Sequence, residues 1–139
     1  MRIIRYSTTG FHPQKQTHHA EHIRYHLSDE FKLEDYPEFM RLEVKQSHEN
    51  KVSFYTEHLE DFKRGIWCFI DGHKSNLALN HLKKKVPCWE AEIPNDTSCY
   101  DCNWEKSTVI SDPILQSGGC YIPERELWKL TNVKRRKSR

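Results

Sequence analysis

The sequence predicts an α+β fold: a single domain with a split mixed or antiparallel sheet and flanking helices. Three observations carry that expectation. Gly65 to Pro94 reads as strand, helix, strand. Short runs of β-branched and aromatic residues recur near both ends of the chain. The length of 139 residues suits one domain.

The stretch from Gly65 to Pro94 is the expected nucleus. Ile66 to Ile70 is apolar, and Asp71-Gly72 breaks it. Ser75 or Asn76 can cap a helix with a stripe of Leu77, Ala78, Leu79 and Leu82. Lys83, Lys84 and Lys85 suit its negative end, and Val86-Pro87 stops it. Trp89, Ala91 and Ile93 alternate with Glu90 and Glu92, as on a strand with one wet face.

Ahead of that nucleus, Met1 to Ser7 reads as a first strand and Thr8 to Pro13 as its turn-rich exit. Gln14 to Leu27 is predicted helical. His18, His22 and His26 share one face of it, with His19 beside them. That spacing suits a metal, but only Glu21 stands near as a further ligand, so a polar helix face is expected. Pro37 is expected to start a short helix reaching Val44, and His48 to Lys51 a turn. Val52 to Lys63 suits a helix that Gly65 terminates. After Pro94, strands are expected at 107–111, 120–123 and 127–130, the last with Val133.

The composition narrows the function classes. The longest apolar run is about six residues, too short for a membrane span or a signal core. The expected location is the cytoplasm, with five reduced cysteines. Lys134 to Arg139 holds five basic groups; without them the chain carries 17 basic and 20 acidic residues. Residues 1–133 are therefore read as the domain and 134–139 as a basic tail, either solvated or contacting phosphates or a partner.

Cys99 and Cys102 form one CxxC, with Cys88 before and Cys120 after. The four thiolates make an alternative zinc set, although a second CxxC is missing and a small buried thiol in a strand is ordinary. No phosphate loop, nucleophile elbow or HExxH motif is present. Asp71 and His73 offer acid–base groups, or a turn Asp and an exposed His. Arg5, inside the first strand and followed by Ser7 and Thr8, reads either as a phosphate clamp or as an edge arginine in water.

The order of these elements resembles that of an ADP-ribosyltransferase-like domain. The similarity lies in Arg5-Tyr6-Ser7-Thr8, in Gly65 to Ile70 with the helix from Ser75 to Lys85, in Trp89 to Pro94, and in Cys120-Tyr121-Ile122-Pro123 with a last strand near Leu127 to Leu130. The resemblance implies NAD as ligand. Arg5 would hold its phosphates, Ser7 or Thr8 its ribose side, and Trp67 and Phe69 would flank the nicotinamide. It also implies a catalytic Glu before the Ile-Pro strand. Gln116-Ser117-Gly118-Gly119 stands there instead, leaving Gln116, Glu124 and Glu126 as candidates near the reacting sugar. Gln116 carries no negative charge and would stabilise a developing sugar cation less. Two function classes follow. One is an NAD-using transferase that modifies a macromolecule. The other is a non-catalytic intracellular module, of phage-type or host-modulating kind, that engages protein or nucleic acid.

Overall fold

The computed structural model describes residues 1–71, 86–101, 104–117 and 119–136, and the side chains of all of these but residues 17–19, 116 and 117. The helix expected at Ser75 to Lys85, together with His73 and Cys102, lies outside the described residues. The fold is α+β. The chain forms two compact units: Met1–Gln14 with Arg64–Arg139, and Lys15–Lys63.

The first unit is a sheet. Its strands are β1 (Arg2–Tyr6), β2 (Gln14–Lys15), β3 (Arg64–Ile70), β4 (Cys88–Glu92), β5 (Ser98–Asp101), β6 (Ser107–Val109), β7 (Gly119–Pro123) and β8 (Thr131–Arg135). They run in the order β6-β5-β7-β3-β1-β4-β8, with β2 pairing β3. All six pairings along that path are antiparallel. The first strand is thus flanked on both edges, Ile4 facing Phe69 of β3 and Glu90 of β4.

Alternation along the strands sorts the side chains onto two faces. Ile3, Ile66, Cys68, Ile70, Ala91, Cys120 and Ile122 fall on one face and build the apolar core with Phe11, Cys99, Ile110 and Leu115. Each isoleucine sealed there contributes about 1.5–3 kcal/mol. The other face is aromatic: Trp67 pairs Tyr121 across β3 and β7, and Trp104 stacks on Trp67 at 5.9 Å and 13°. Apolar cover on both faces explains why Ile66 to Ile70 is a continuous apolar run.

Gly65 terminates no helix. It opens the β3–β7 pairing opposite Pro123. A Cβ there would stand 2.5 Å from the Ile122 oxygen and from the Tyr121 ring. The absence of a side chain lets β7 and its tyrosine close down.

The C-terminal region also differs from expectation. Leu127 to Leu130 is not a strand, because Glu124–Lys129 forms a 3-10 turn that Pro123 opens. From it Leu127 and Leu130 pack against the core. The free edge of β4 is taken instead by Thr131–Arg135. Lys134 and Arg135 are therefore strand residues, with their side chains exposed. Arg136 follows them, its N–H donating to the Cys88 carbonyl at 2.8 Å. Its guanidinium bonds the Asp71 carboxylate and lies 3.4 Å from Glu90.

The second unit is helical: α1 (Thr17–Leu27) and α2 (Arg41–His58). No Gly or Pro interrupts residues 41–58, so α2 runs straight through the turn expected at His48 to Lys51. The segment before it is two short 3-10 turns, Leu33–Asp35 and Glu38–Met40. Ile23, His26, Tyr55 and Phe62 are buried. Tyr55 meets Phe62 edge-on at 5.8 Å.

Candidate anion site at Arg5

β1 carries Arg5 on its core face. The register that pairs Ile3 with Ile70 and Ile4 with Phe69 continues to place Arg5 beside Cys68. Only 8% of the residue is exposed. Its guanidinium is held by oxygens of three segments. Nε donates to the Gly10 carbonyl at 3.0 Å, Nη1 to the Trp67 carbonyl at 2.6 Å, and Nη2 to Gln14 Oε1 at 3.2 Å. All three acceptors are neutral, and no carboxylate among the described residues pairs with this cation. Burial pulls its pKa below the ordinary arginine value.

The turn after β1 shapes the rest of the site. Gly10 adopts φ +65°, a left-handed conformation glycine takes without strain. The Trp89 ring lies 3.4 Å from where a Cβ would stand. Trp89 Nε1 donates to the Ser7 carbonyl at 2.9 Å, fixing the loop onto β4. Ser7 Oγ and Thr9 Oγ1 are 3.0 Å apart, and Gln14 Nε2 donates to Thr9 Oγ1 at 3.3 Å. A chain of polar groups thus runs Arg5, Gln14, Thr9, Ser7. Thr8 is exposed and stands outside it. Arg5 and Ser7 stand out in the sequence, whereas Gln14, Thr9 and Gly10 join them only through the fold of the loop. The Thr9-Gly10 turn signal was present, but nothing local tied it to Arg5.

The remaining expected ligand residues are not gathered here. Phe69 shares the face of Ile4, and Trp67 that of Tyr121, so both side chains lie on the opposite side of the sheet from Arg5. Glu124 and Glu126 follow β7, which β3 separates from β1. Glu124 is exposed and lies 3.3 Å from Arg64. Glu126 is buried between Lys129 at 2.6 Å and Arg125 at 3.0 Å. Burial would raise its carboxyl pKa, but Lys129, Arg125 and the Ser98 backbone together hold it below the usual range. Gln116 sits in the 3-10 turn Pro113–Ser117 ahead of β7.

The alternative zinc set is also divided. Cys88 is on β4, three strands from Cys120 on β7. At the usual strand spacing that is roughly 14 Å, far beyond a shared ion. Cys120 instead meets Cys68 directly across the β3–β7 ladder, with the sulfurs 3.4 Å apart. Its hydrogen bond to Cys68 pushes its pKa well above the ordinary thiol value, and its contact with Cys99, ahead of burial, raises that of Cys99. No group of three or more His, Cys, Asp or Glu among the described residues is arranged to hold a metal ion.

A groove of about 270 Å³ lies where β4 and β8 fall out of register. Arg2, Glu90, Ala91, Glu92, Asn132, Val133 and Lys134 line it, and it holds none of the expected ligand residues. No helix among the described residues is long and apolar enough to cross a membrane.

No family model, no curated protein and no solved structure matches this chain.

Proposed function

We propose that the chain is an ADP-ribosyltransferase-like domain that binds NAD, with Arg5 as the contact for the diphosphate. One observation carries this reading: an arginine 8% exposed, its guanidinium bonded only to neutral oxygens, with no carboxylate partner among the described residues. A buried cation without countercharge is costly, and an anion beside it lowers that cost. Three of its five N–H groups are engaged, leaving two for a ligand oxygen. The hydroxyls of Ser7 and Thr9 extend the same polar chain.

The test is a thermal melt with NAD, ADP-ribose or inorganic pyrophosphate. A ligand that binds only the folded chain raises the melting temperature. The expected result is a rise with NAD and ADP-ribose that disappears in folded Arg5→Lys, which keeps the charge but loses the fork. No rise with any of the three overturns the reading.

A second reading is a non-catalytic module that engages protein or nucleic acid. It is favoured by the two carboxylates after β7, each already engaged by cations. A carboxylate neutralised in this way stabilises a developing sugar cation weakly. Transfer of ADP-ribose would break the nicotinamide–ribose bond and release nicotinamide. Chromatographic detection of free nicotinamide, with NAD and a mixed polypeptide acceptor, separates the two readings.

A further inference from the structure

We propose that His26 and His48 form an acid-released latch that holds α1 to α2. Their Nδ1 atoms are 2.8 Å apart. At that distance one ring donates and the other accepts, so the contact accommodates one proton and excludes a second. Acid that protonates both rings sets two N–H groups against each other.

Among the described residues, aromatic rings and bases surround the pair. On α1, the His22 ring lies 4.8 Å edge-on from His26, and Tyr25 lies at 5.1 Å. On α2, His48 and Lys51 act on His26, and the Tyr55 ring is 6.3 Å away. From the segment between the helices, Phe31 lies 5.7 Å from His26 and stacks on His48 at 3.7 Å and 3°. Tyr36 meets Phe31 at 5.9 Å and caps that layer. The groups that act electrostatically on His26, namely His22, Lys51 and His48, are all bases. No carboxylate among the described residues pairs with it. His26, 7% exposed, sits among these rings, and its burial favours the neutral imidazole.

The direction of the response follows. Burial first, then His22, Lys51 and His48, hold the His26 imidazole at about 4 in the folded chain, against 6.5 when free. A base whose pKa is lowered by folding contributes stability above the unfolded value, and that stability is lost as pH falls from 6.5 towards 4. At pH 5 the opened form is favoured on the order of thirty-fold relative to pH 8. The helical unit therefore loosens in mildly acidic surroundings, while the described residues of the sheet core include no such pair.

Hydrogen exchange of the full chain, read by mass spectrometry at pH 8 and pH 5 and corrected for intrinsic rates, tests the latch. Peptides from 17–27 and 41–58 are expected to lose at least ten-fold protection at pH 5, with β3 and β7 peptides as the internal reference. His26→Phe removes the proton-accepting ring, and the step disappears. His48→Gln keeps a hydrogen-bonding group without charge and serves if the first variant does not fold; the step shrinks. His48→Glu places a carboxylate against His26 and reverses the sign, making the helices more protected in acid. Equal protection of the helices at both pH values in the native chain overturns the proposal, as does an undiminished step in His48→Gln.

Discussion

Arg5 Nη1 lies 2.6 Å from the main-chain oxygen of Trp67, so a side chain of the first strand bonds the backbone of its neighbour beyond the ordinary ladder. The same guanidinium reaches the turn at Gly10 and the amide of Gln14. It therefore holds β1, β3 and the loop after β1 to one point. Whatever ligand it meets, it is also a fastener of the fold.

Arg5→Lys is expected to lower unfolding free energy by about 2–4 kcal/mol, because one ammonium cannot reach all three oxygens and a buried acceptor left without a donor is costly. Urea denaturation of the two proteins measures this directly. A change below about 0.5 kcal/mol would mean that the three contacts are dispensable.

Gly65→Ala places a methyl 2.5 Å from the Ile122 oxygen, a backbone atom that cannot swing away. A loss of about 1–3 kcal/mol is expected from the forced separation of β3 and β7. At Gly119 the nearest backbone atom to an added Cβ is 3.2 Å away, so Gly119→Ala is the milder variant. Chemical melts of the pair rank them.

Removing residues 134–139 truncates β8 and deletes the guanidinium that bonds Asp71 and approaches Glu90. A drop in melting temperature is the expected result, whereas a solvated tail would leave it unchanged. Arg136→Gln alone isolates the ionic part, about 1 kcal/mol for a partly exposed network and smaller in high salt. Calorimetry at low and at 0.5 M salt makes the comparison.

Glu126 supplies a pH dependence opposite in origin to that of His26. Its folded pKa lies below the ordinary 4.5. The carboxylate therefore contributes its full stability above that value and loses it as pH falls through the folded pKa. Glu126→Gln should flatten the acid limb of the stability curve as pH falls below the ordinary carboxyl value of 4.5. An unchanged limb would show that Lys129 and Arg125 do not act through this carboxylate.

Much of the sheet was legible in the sequence. Ile3-Ile4 and Ile66 to Ile70 announce strands by their own chemistry, and the alternation from Trp89 to Ile93 marks another. What was not legible depends on partners distant in sequence. Thr131 to Arg135 is mostly polar and charged, and becomes a strand by pairing with the edge of β4. Gly65 has the same local signature before a strand as after a helix. The uninterrupted α2 was hidden by the polar His48-Glu49-Asn50, which resembles a turn although no residue in it breaks a helix. At the candidate site, Arg5 was conspicuous as a charge in an apolar strand, but Gly10 and Gln14 gained meaning only through the loop that folds them back onto it.

The helical unit begins and finishes at neighbouring points. Gln16 N–H donates to the Lys63 carbonyl at 3.3 Å, although 47 positions separate them in sequence. A segment whose two ends meet can be exchanged for a few linking residues without stretching what flanks it. Modular excision is thus a practical route to two shorter polypeptides: one to carry the nucleotide question, the other to report on acid.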